Sequence, residues 1–300
     1  MFLQQNVPLA NKTTMRIGGT ARAFAQLKTK EEVEQACAYA LEEGLPMIVL
    51  GGGSNTIFAQ GEIDALVVRL KHDAMTVEGG RVTVGAGKIL AMLINELAAK
   101  NLDLSPLTGI PGTVGGAIYG NAGQGYGGIW IDHFVCSVTF YHGGSWQTWN
   151  KGECAFRYRE SAFKDMTIGA GSGQRSAGNP PVIWEVELEV PSRPQAEVMA
   201  EVEKLLHRRI ETQPHLKTAG SCFKSLPDGT PAWKLIDAVG LRGKKFGGIE
   251  ISEKHANFLL NVGEGTFDDA ITAVEAIRKN VPQIADVEMR FVRGDGTQTF

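Results

Sequence analysis

The chain has 300 residues, with 30 Lys plus Arg against 33 Asp plus Glu and a formal net charge of −3. That near-balance argues against a protein that mainly coats DNA or RNA, and 43% hydrophobic with 21% charged residues excludes wholesale disorder. The length predicts about two domains. Glycine is the unusual component: there are 37, with Gly51, Gly52 and Gly53 in a row and a dense run over residues 109–128. Without a three-residue period, such density marks backbone that bends sharply or approaches a ligand closely.

The opening MFLQQNVPLANKTTMR has no apolar core behind a basic end, and no apolar run reaches the roughly eighteen residues of a membrane span. Cys37, Cys136, Cys154 and Cys222 never form C-x-x-C, which excludes a zinc ribbon and gives no disulfide framework. The expectation is a cytoplasmic protein with reduced thiols and no metal.

Thr29-Lys30-Glu31-Glu32 matches a capping box, and Val33, Ala36, Cys37, Ala40 and Leu41 form a helical stripe that Gly44 and Pro46 end. Met47–Leu50 predicts a short buried strand running into the glycine triplet, and Ala65–Leu70 a second. Met75–Glu78 and Arg81–Val84 predict a hairpin around Gly79-Gly80, and Ile89–Leu102 an amphipathic helix. Residues 131–190 read mostly as strands, clearest at Trp184–Val190. Residues 169–181, GAGSGQRSAGNPP, read as a surface loop with no assigned role. Helices are predicted at Gln195–Ile210 and Thr266–Asn280, with a last strand near Val287–Val292. The order is α+β, not the regular alternation of a doubly wound nucleotide fold.

Two segments carry candidate chemistry. Gly51-Gly52-Gly53-Ser54-Asn55 presents consecutive backbone N–H groups suited to a pyrophosphate, although taken alone it is as readily a tight turn. It fails the dinucleotide fingerprint, because Thr56 holds the sixth position and the chain continues into Ile57-Phe58 rather than a helix. The second segment is Gly109-Ile110-Pro111-Gly112-Thr113-Val114-Gly115-Gly116-Ala117, running on to Asn121-Ala122-Gly123. Its mixture of apolar residues and glycine suits backbone passing a flat, phosphate-bearing cofactor better than a plain connection.

These segments, with Asn11-Lys12-Thr13-Thr14-Met15-Arg16-Ile17-Gly18-Gly19, resemble the flavin-binding half of the UDP-N-acetylenolpyruvoylglucosamine reductases. Further matches come in order: Tyr158-Arg159-Glu160-Ser161, Arg208-Arg209, Ala219-Gly220-Ser221-Cys222-Phe223-Lys224, Ser252-Glu253-Lys254-His255-Ala256-Asn257-Phe258 and Glu288-Met289-Arg290-Phe291. The resemblance spans roughly residues 11–293, and the C-terminal half is similar to the family's type II branch.

The resemblance implies a non-Rossmann FAD-binding fold of two α+β subdomains, like that of vanillyl-alcohol oxidase, with a C-terminal α+β substrate domain. The corresponding boundaries are 1–194 (about 1–64 and 65–194) for the cofactor and 195–300 for the substrate. It implies non-covalent FAD, with NADPH as reductant. The substrate is a UDP-sugar enolpyruvyl ether, reduced to UDP-N-acetylmuramate for peptidoglycan precursors. No nucleic-acid or membrane partner is expected, and the state is a monomer or weak oligomer.

Carried onto this chain, the cofactor residues are Arg16, Ile17, Gly18, Gly51, Gly52, Gly53, Ser54, Asn55, Pro111, Gly112, Thr113, Val114, Gly115, Gly116 and Asn121. Tyr158, Lys224, Arg208 and Lys254 would bind substrate. The resemblance makes Arg159, Ser221 and Glu288 catalytic: Arg159 as a planar cation for a carboxylate, Ser221 as proton donor to carbon and Glu288 as the polarising acid. Cys222 is expected to face the core, and His255 to hydrogen-bond structurally. Ser225 stands where the family usually has Asn, and Ala285 and Asp286 replace the family's Leu and first Glu. An alternative is another flavin oxidoreductase of the same cofactor fold, but the histidine tether of many such oxidases has no counterpart at Ser54-Asn55.

Overall fold

The computed structural model describes residues 3–123, 128–168 and 178–300, so most of the loop predicted at 169–181 lies outside the described residues. The first elements are β1 (Leu3–Pro8), β2 (Thr20–Leu27), α1 (Lys30–Glu42), β3 (Met47–Val49), β4 (Thr56–Phe58), β5 (Glu62–Leu70), β6 (Met75–Glu78) and β7 (Arg81–Gly85). Next come α2 (Leu90–Ala98), α3 (Val114–Tyr119), β8 (Val135–His142), β9 (Ser145–Asn150), α4 (Ala162–Ile168), β10 (Val182–Glu189) and α5 (Gln195–Thr212). The last are β11 (Thr218–Ser221), α6 (Ala232–Ala238), β12 (Lys245–Phe246), β13 (Ile249–Ile251), β14 (Phe258–Asn261), α7 (Phe267–Asn280), β15 (Arg290–Val292) and β16 (Gln298–Thr299).

The chain forms two compact units that no single cut separates. The first comprises Met1–Gln4, Ala23–Gly52 and Ala65–Arg208; the second comprises Gln5–Arg22, Gly53–Asp64 and Arg209–Phe300. The fold class is α+β, as the element order predicts.

The first unit has two cores. In one, Val33, Ala36, Cys37 and Ala40 of the predicted α1 stripe pack on Ala23, Leu27, Met47, Leu66 and Val68, while Leu41, the fifth, is exposed near the end of the helix. There β3 lies parallel to β5, with Met47 opposite Leu66, in a sheet ordered β1-β2-β5-β3. Thr29 caps α1 by accepting from Glu32 N–H at 3.2 Å, while the Glu32 carboxylate reaches back to Lys28 N–H rather than to Thr29. In the other core, the sheet β6-β7-β10-β8-β9 carries Val82, Val138, Phe140, Val186 and Leu188 inward against Leu93, Leu97, Val114, Ile118 and Phe163. The hairpin forms where predicted, β6 pairing antiparallel with β7.

The second unit has one core, built from Met15, Ile17, Ile57, Phe223, Ile236, Leu259, Val274 and Phe291 among others. Its sheet β11-β14-β13-β12 is antiparallel, and a smaller sheet sets β4 parallel to β15, with Ile57 opposite Phe291. Thr266 and Asp269 form a reciprocal capping box on α7: Thr266 accepts from Asp269 N–H at 3.0 Å, and Asp269 accepts from Thr266 N–H at 3.0 Å. The hydrogen bond from Thr266 N–H holds the Asp269 carboxyl below its ordinary range.

Three sequence expectations need correction. The helix expected over Ile89–Leu102 is shorter, because Lys100–Leu102 fold back onto Leu97 and Ala98 carbonyls. The strand expected near Val287–Val292 starts at Arg290, since Val287 forms only an isolated bridge with Phe223, and it is not the last, because β16 follows it. The glycine-rich segment is not all loop: residues 114–119 form α3, whose apolar Val114, Ala117 and Ile118 are buried while Thr113 accepts from Gly116 N–H. Burial of an apolar face outweighs the glycine penalty, which is about 1 kcal/mol per residue.

Replacing Thr266 with Ala should remove the side-chain half of the α7 box and cost about 1 kcal/mol. The measurement is the urea midpoint at constant denaturant slope; an unchanged midpoint shows that the cap carries no stability.

Candidate active site

In the first unit the two glycine segments meet. A Cβ on Gly52 would lie 2.7 Å from the Gly112 Cα, and one on Gly51 would lie 2.8 Å from Thr113 Oγ1. No side chain fits at either position, so Gly52 lies directly against the Gly112 backbone and Gly51 against the Thr113 hydroxyl. The α3 amides are already engaged: Val114 N–H donates to Lys88 O at 2.9 Å, Gly115 N–H to Ala86 O at 2.9 Å and Gly116 N–H to Thr113 Oγ1 at 3.3 Å.

The same unit holds the arginine turn. Arg157 and Glu160 exchange backbone hydrogen bonds at 3.0 and 3.1 Å around Tyr158 and Arg159, and Arg159 has φ 58°. That conformation is costly for a residue with a Cβ and persists only when its surroundings enforce it. The surroundings are specific. Buried Asn121 donates from Nδ2 to Arg157 O at 3.0 Å, Ser161 Oγ donates to Tyr119 O at 2.7 Å, and Lys164 Nζ donates to Arg159 O at 3.3 Å. Asn121 Oδ1 also accepts from Asp132 N–H at 3.4 Å, so its side chain is spent on anchoring protein backbone. The Arg159 guanidinium carbon sits 5.0 Å from the centre of the Trp130 ring, and Tyr158 meets that ring edge-on at 5.2 Å. Trp130 carried no signal in the sequence. Arg208 is exposed near the end of the first unit.

The second unit gathers most of the remaining candidates. Gly53 leaves no room for a Cβ, which would lie 2.2 Å from Lys12 O, and Thr14 N–H donates to Gly53 O at 3.1 Å. Thr14 Oγ1 also donates to Thr218 O at 2.6 Å. Arg16, at φ 61°, donates from Nη1 to Asn11 O at 2.9 Å, while Ile17 is buried in the core. Asn55 grips the acidic segment twice, its Nδ2 donating to Glu288 O at 2.9 Å and its own carbonyl accepting from Arg290 N–H at 2.9 Å. That segment pairs in turn with the Ser221 strand: Glu288 N–H donates to Cys222 O at 2.8 Å and Lys224 N–H to Asp286 O at 3.0 Å.

Ser221 lies just past a register shift in the β11–β14 ladder, where Gly220 has φ 83°. A bulge of this kind re-aims the next side chain. Asn257 locks the backbone two residues further on, accepting from Phe223 N–H at 3.0 Å and donating to Phe223 O at 2.9 Å. Cys222 is fully buried as expected, and its thiol is pushed up by desolvation and by nearby Glu288. The better intrinsic acid is thus neutral and enclosed, whereas Ser221 is only partly buried.

Lys254 Nζ donates to the Ile210 carbonyl in the last turn of α5, a helix-end contact. His255 Nδ1 accepts from Asn257 N–H at 3.3 Å, and burial holds its pKa below the usual 6.5. Among the described residues no cluster could hold a metal ion, and no helix is long and apolar enough to cross a membrane.

Residues 21–144 match the model of an FAD-binding domain, and they include both glycine segments. Most of that span lies in the first unit, with residues 21–22 and 53–64 in the second, and the chain is a flavoprotein oxidoreductase. Residues 213–291 match the C-terminal domain of UDP-N-acetylenolpyruvoylglucosamine reductase. Reductases of that name are 35% identical over 286 residues in Enterococcus faecalis, covering 94% of this chain and 90% of the relative, and 33% identical over 297 residues in Moorella thermoacetica, covering 97% and 93%. The solved Thermus caldophilus enzyme superposes with a TM-score of 0.80 at 30% identity, covering 97% of this chain and 99% of that one. The chain belongs to the UDP-N-acetylenolpyruvoylglucosamine reductase family.

The close backbone approach at Gly52 fits a bound flavin, and it makes that residue the simplest probe. Gly52→Ala forces a Cβ to 2.7 Å from Gly112, so the purified variant should carry less flavin, read as a lower 450 nm to 280 nm absorbance ratio. His255 gives a pH test of the second unit. Its depressed folded pKa contributes stability that is present above the unfolded value and lost as pH falls below it. The urea midpoint should therefore drop between pH 7.5 and 5.5, and His255→Gln should flatten part of that drop.

Proposed function

We propose that this chain is an NADPH-dependent reductase that converts the enolpyruvyl ether of UDP-N-acetylglucosamine to UDP-N-acetylmuramate, in the cytoplasm, for peptidoglycan precursors. The reading assigns residues 1–194 to FAD and 195–300 to the substrate. The observation that carries it is the pairing of the Ser221 strand with the Glu288 segment, in a chain alike to these reductases along almost its whole length. When bound, FAD accepts hydride from NADPH and delivers it to the substrate.

The chain's residues would do the rest. Gly51, Gly52, Gly53, Ser54 and Asn55 line the turn that takes the pyrophosphate, and Pro111–Gly116 face the flat part of the cofactor. Adding hydride to an enolpyruvyl double bond places negative charge on the neighbouring carbon and its carboxylate. Arg159 meets the carboxylate with a charged planar fork, and a charge-assisted pair strengthens as that charge develops. Glu288 polarises the same enol, held at its carbonyl by Asn55 and at its N–H by the Ser221 strand.

Ser221 donates the proton to carbon. A neutral hydroxyl is a weak acid, but the enolic carbon is strongly basic, and position rather than acidity then sets the rate. Tyr158, Lys224 and Arg208 supply the sugar and diphosphate contacts. Lys254 acts at one remove, through the end of α5.

Ser221→Ala should retain bound flavin and reduction by NADPH at the wild-type rate, while reoxidation by the enolpyruvyl UDP-sugar slows by about 10²- to 10⁴-fold, the usual range for a lost general acid. Stopped-flow absorbance at 450 nm separates the two half-reactions. Reoxidation at the wild-type rate would remove Ser221 from the mechanism.

A further inference from the structure

We propose that Trp130 is a positioning residue for Arg159, fixing its guanidinium through a cation–π contact before substrate arrives. The proposal rests on Arg159 being the carboxylate ligand. Asn121, Ser161 and Lys164 fix the backbone of the arginine turn at three points. None of these three bonds restrains the arginine side chain, whose rotatable bonds carry a substantial entropy cost on ordering. The ring of Trp130 does: the guanidinium carbon lies 5.0 Å from its centre, within range for an attraction to the ring face.

The ring is itself held. A Cβ on Gly123 would lie 2.5 Å from its carbons, so only glycine lets the ring settle against that backbone. Gly123 and Trp130 form an antiparallel bridge, Ile131 N–H donates to Ala122 O at 2.8 Å, and Tyr158 closes one side edge-on. Asn121, one of the three residues that order the turn, is followed directly by Ala122 and Gly123, whose backbone holds the ring. One piece of chain just after α3 thus contributes to both the backbone and the charge of Arg159. A charge already ordered costs less to bring to a carboxylate, and the flanking aromatic surface displaces water from around the pair.

The experiment tracks the two half-reactions of the flavin-loaded enzyme in Trp130→Phe, Trp130→Leu, Arg159→Ala and the Trp130→Leu/Arg159→Ala double variant. Trp130→Leu should raise KM for the enolpyruvyl UDP-sugar, or slow reoxidation, by roughly 3- to 30-fold, with reduction by NADPH unchanged. Trp130→Phe should recover most of the loss. In the Arg159→Ala background the leucine change should add nothing, because the interaction it removes is already gone. If Trp130→Leu loses its flavin, uniform incorporation of fluorinated tryptophans of increasing fluorine number tests the same contact without altering shape. Reoxidation should then slow stepwise in the wild type and not in Trp130→Phe.

Wild-type reoxidation in Trp130→Leu, a multiplicative loss in the double variant, or indifference to fluorination overturns the proposal while leaving Arg159 in its role. Wild-type reoxidation in Arg159→Ala overturns that role and the proposal with it.

Discussion

Chain passing chain with no side chain between is the constraint on which this protein depends. Gly52 lies so near Gly112, and Gly53 so near Lys12, that a methyl group at either would enter neighbouring backbone. Each contact lets one end of a five-residue turn serve a different purpose. Gly51 and Gly52 sit against the α3 entry in the flavin-binding unit, and Asn55 two residues beyond Gly53 grips Glu288 in the other. The turn is thus fixed along its length, by close backbone contacts at its glycines and by the Asn55 amide at its end.

Some of the backbone strain falls on the candidate residues. Arg16, Asn121 and Arg159 all have positive φ although none is glycine, at 61°, 39° and 58°. Each is held by hydrogen bonds at or beside it: Arg16 to Asn11, Asn121 to Arg157 and Asp132, and the Arg159 turn to Asn121 and Tyr119 through Ser161. Such conformations last only where neighbouring structure over-determines them. At Asn121 and Arg159 the neighbours are buried side-chain amides and hydroxyls, which make directional bonds that apolar packing cannot.

Asparagine amides recur in this role: Asn55, Asn121 and Asn257 bond backbone at, or two residues from, Glu288, Arg159 and Ser221, the residues of the proposed mechanism. Cys222, the stronger intrinsic acid beside Ser221, is buried and its thiol pushed up, so it remains a core residue. Burial likewise lifts Cys37 and Cys154 to about 12, leaving these thiols protonated and inert at neutral pH.

The α+β class, the stripe of α1, the β6–β7 hairpin, the start of α7 and the family were all legible in the amino-acid order. These depend on short-range rules: apolar spacing, capping residues and ordered motifs that survive without knowledge of neighbours. Both glycine segments stood out in the same way, and strand alternation relative to Ser221, placed by the family resemblance, put Cys222 in the core. Nothing in that order showed that residues 5–22 and 53–64 pack with 209–300, since that grouping depends on β4 pairing with β15, more than 230 residues later. Nor was α3 visible, where the burial of Val114 and Ile118 overrides glycine's local preference. Nor did the order show that Lys254 reaches the end of α5, and Trp130 read as nothing until it met Arg159. Local rules say which residues want to be buried, bent or charged; only the folded chain decides which of them meet, because those meetings lie between residues far apart in sequence.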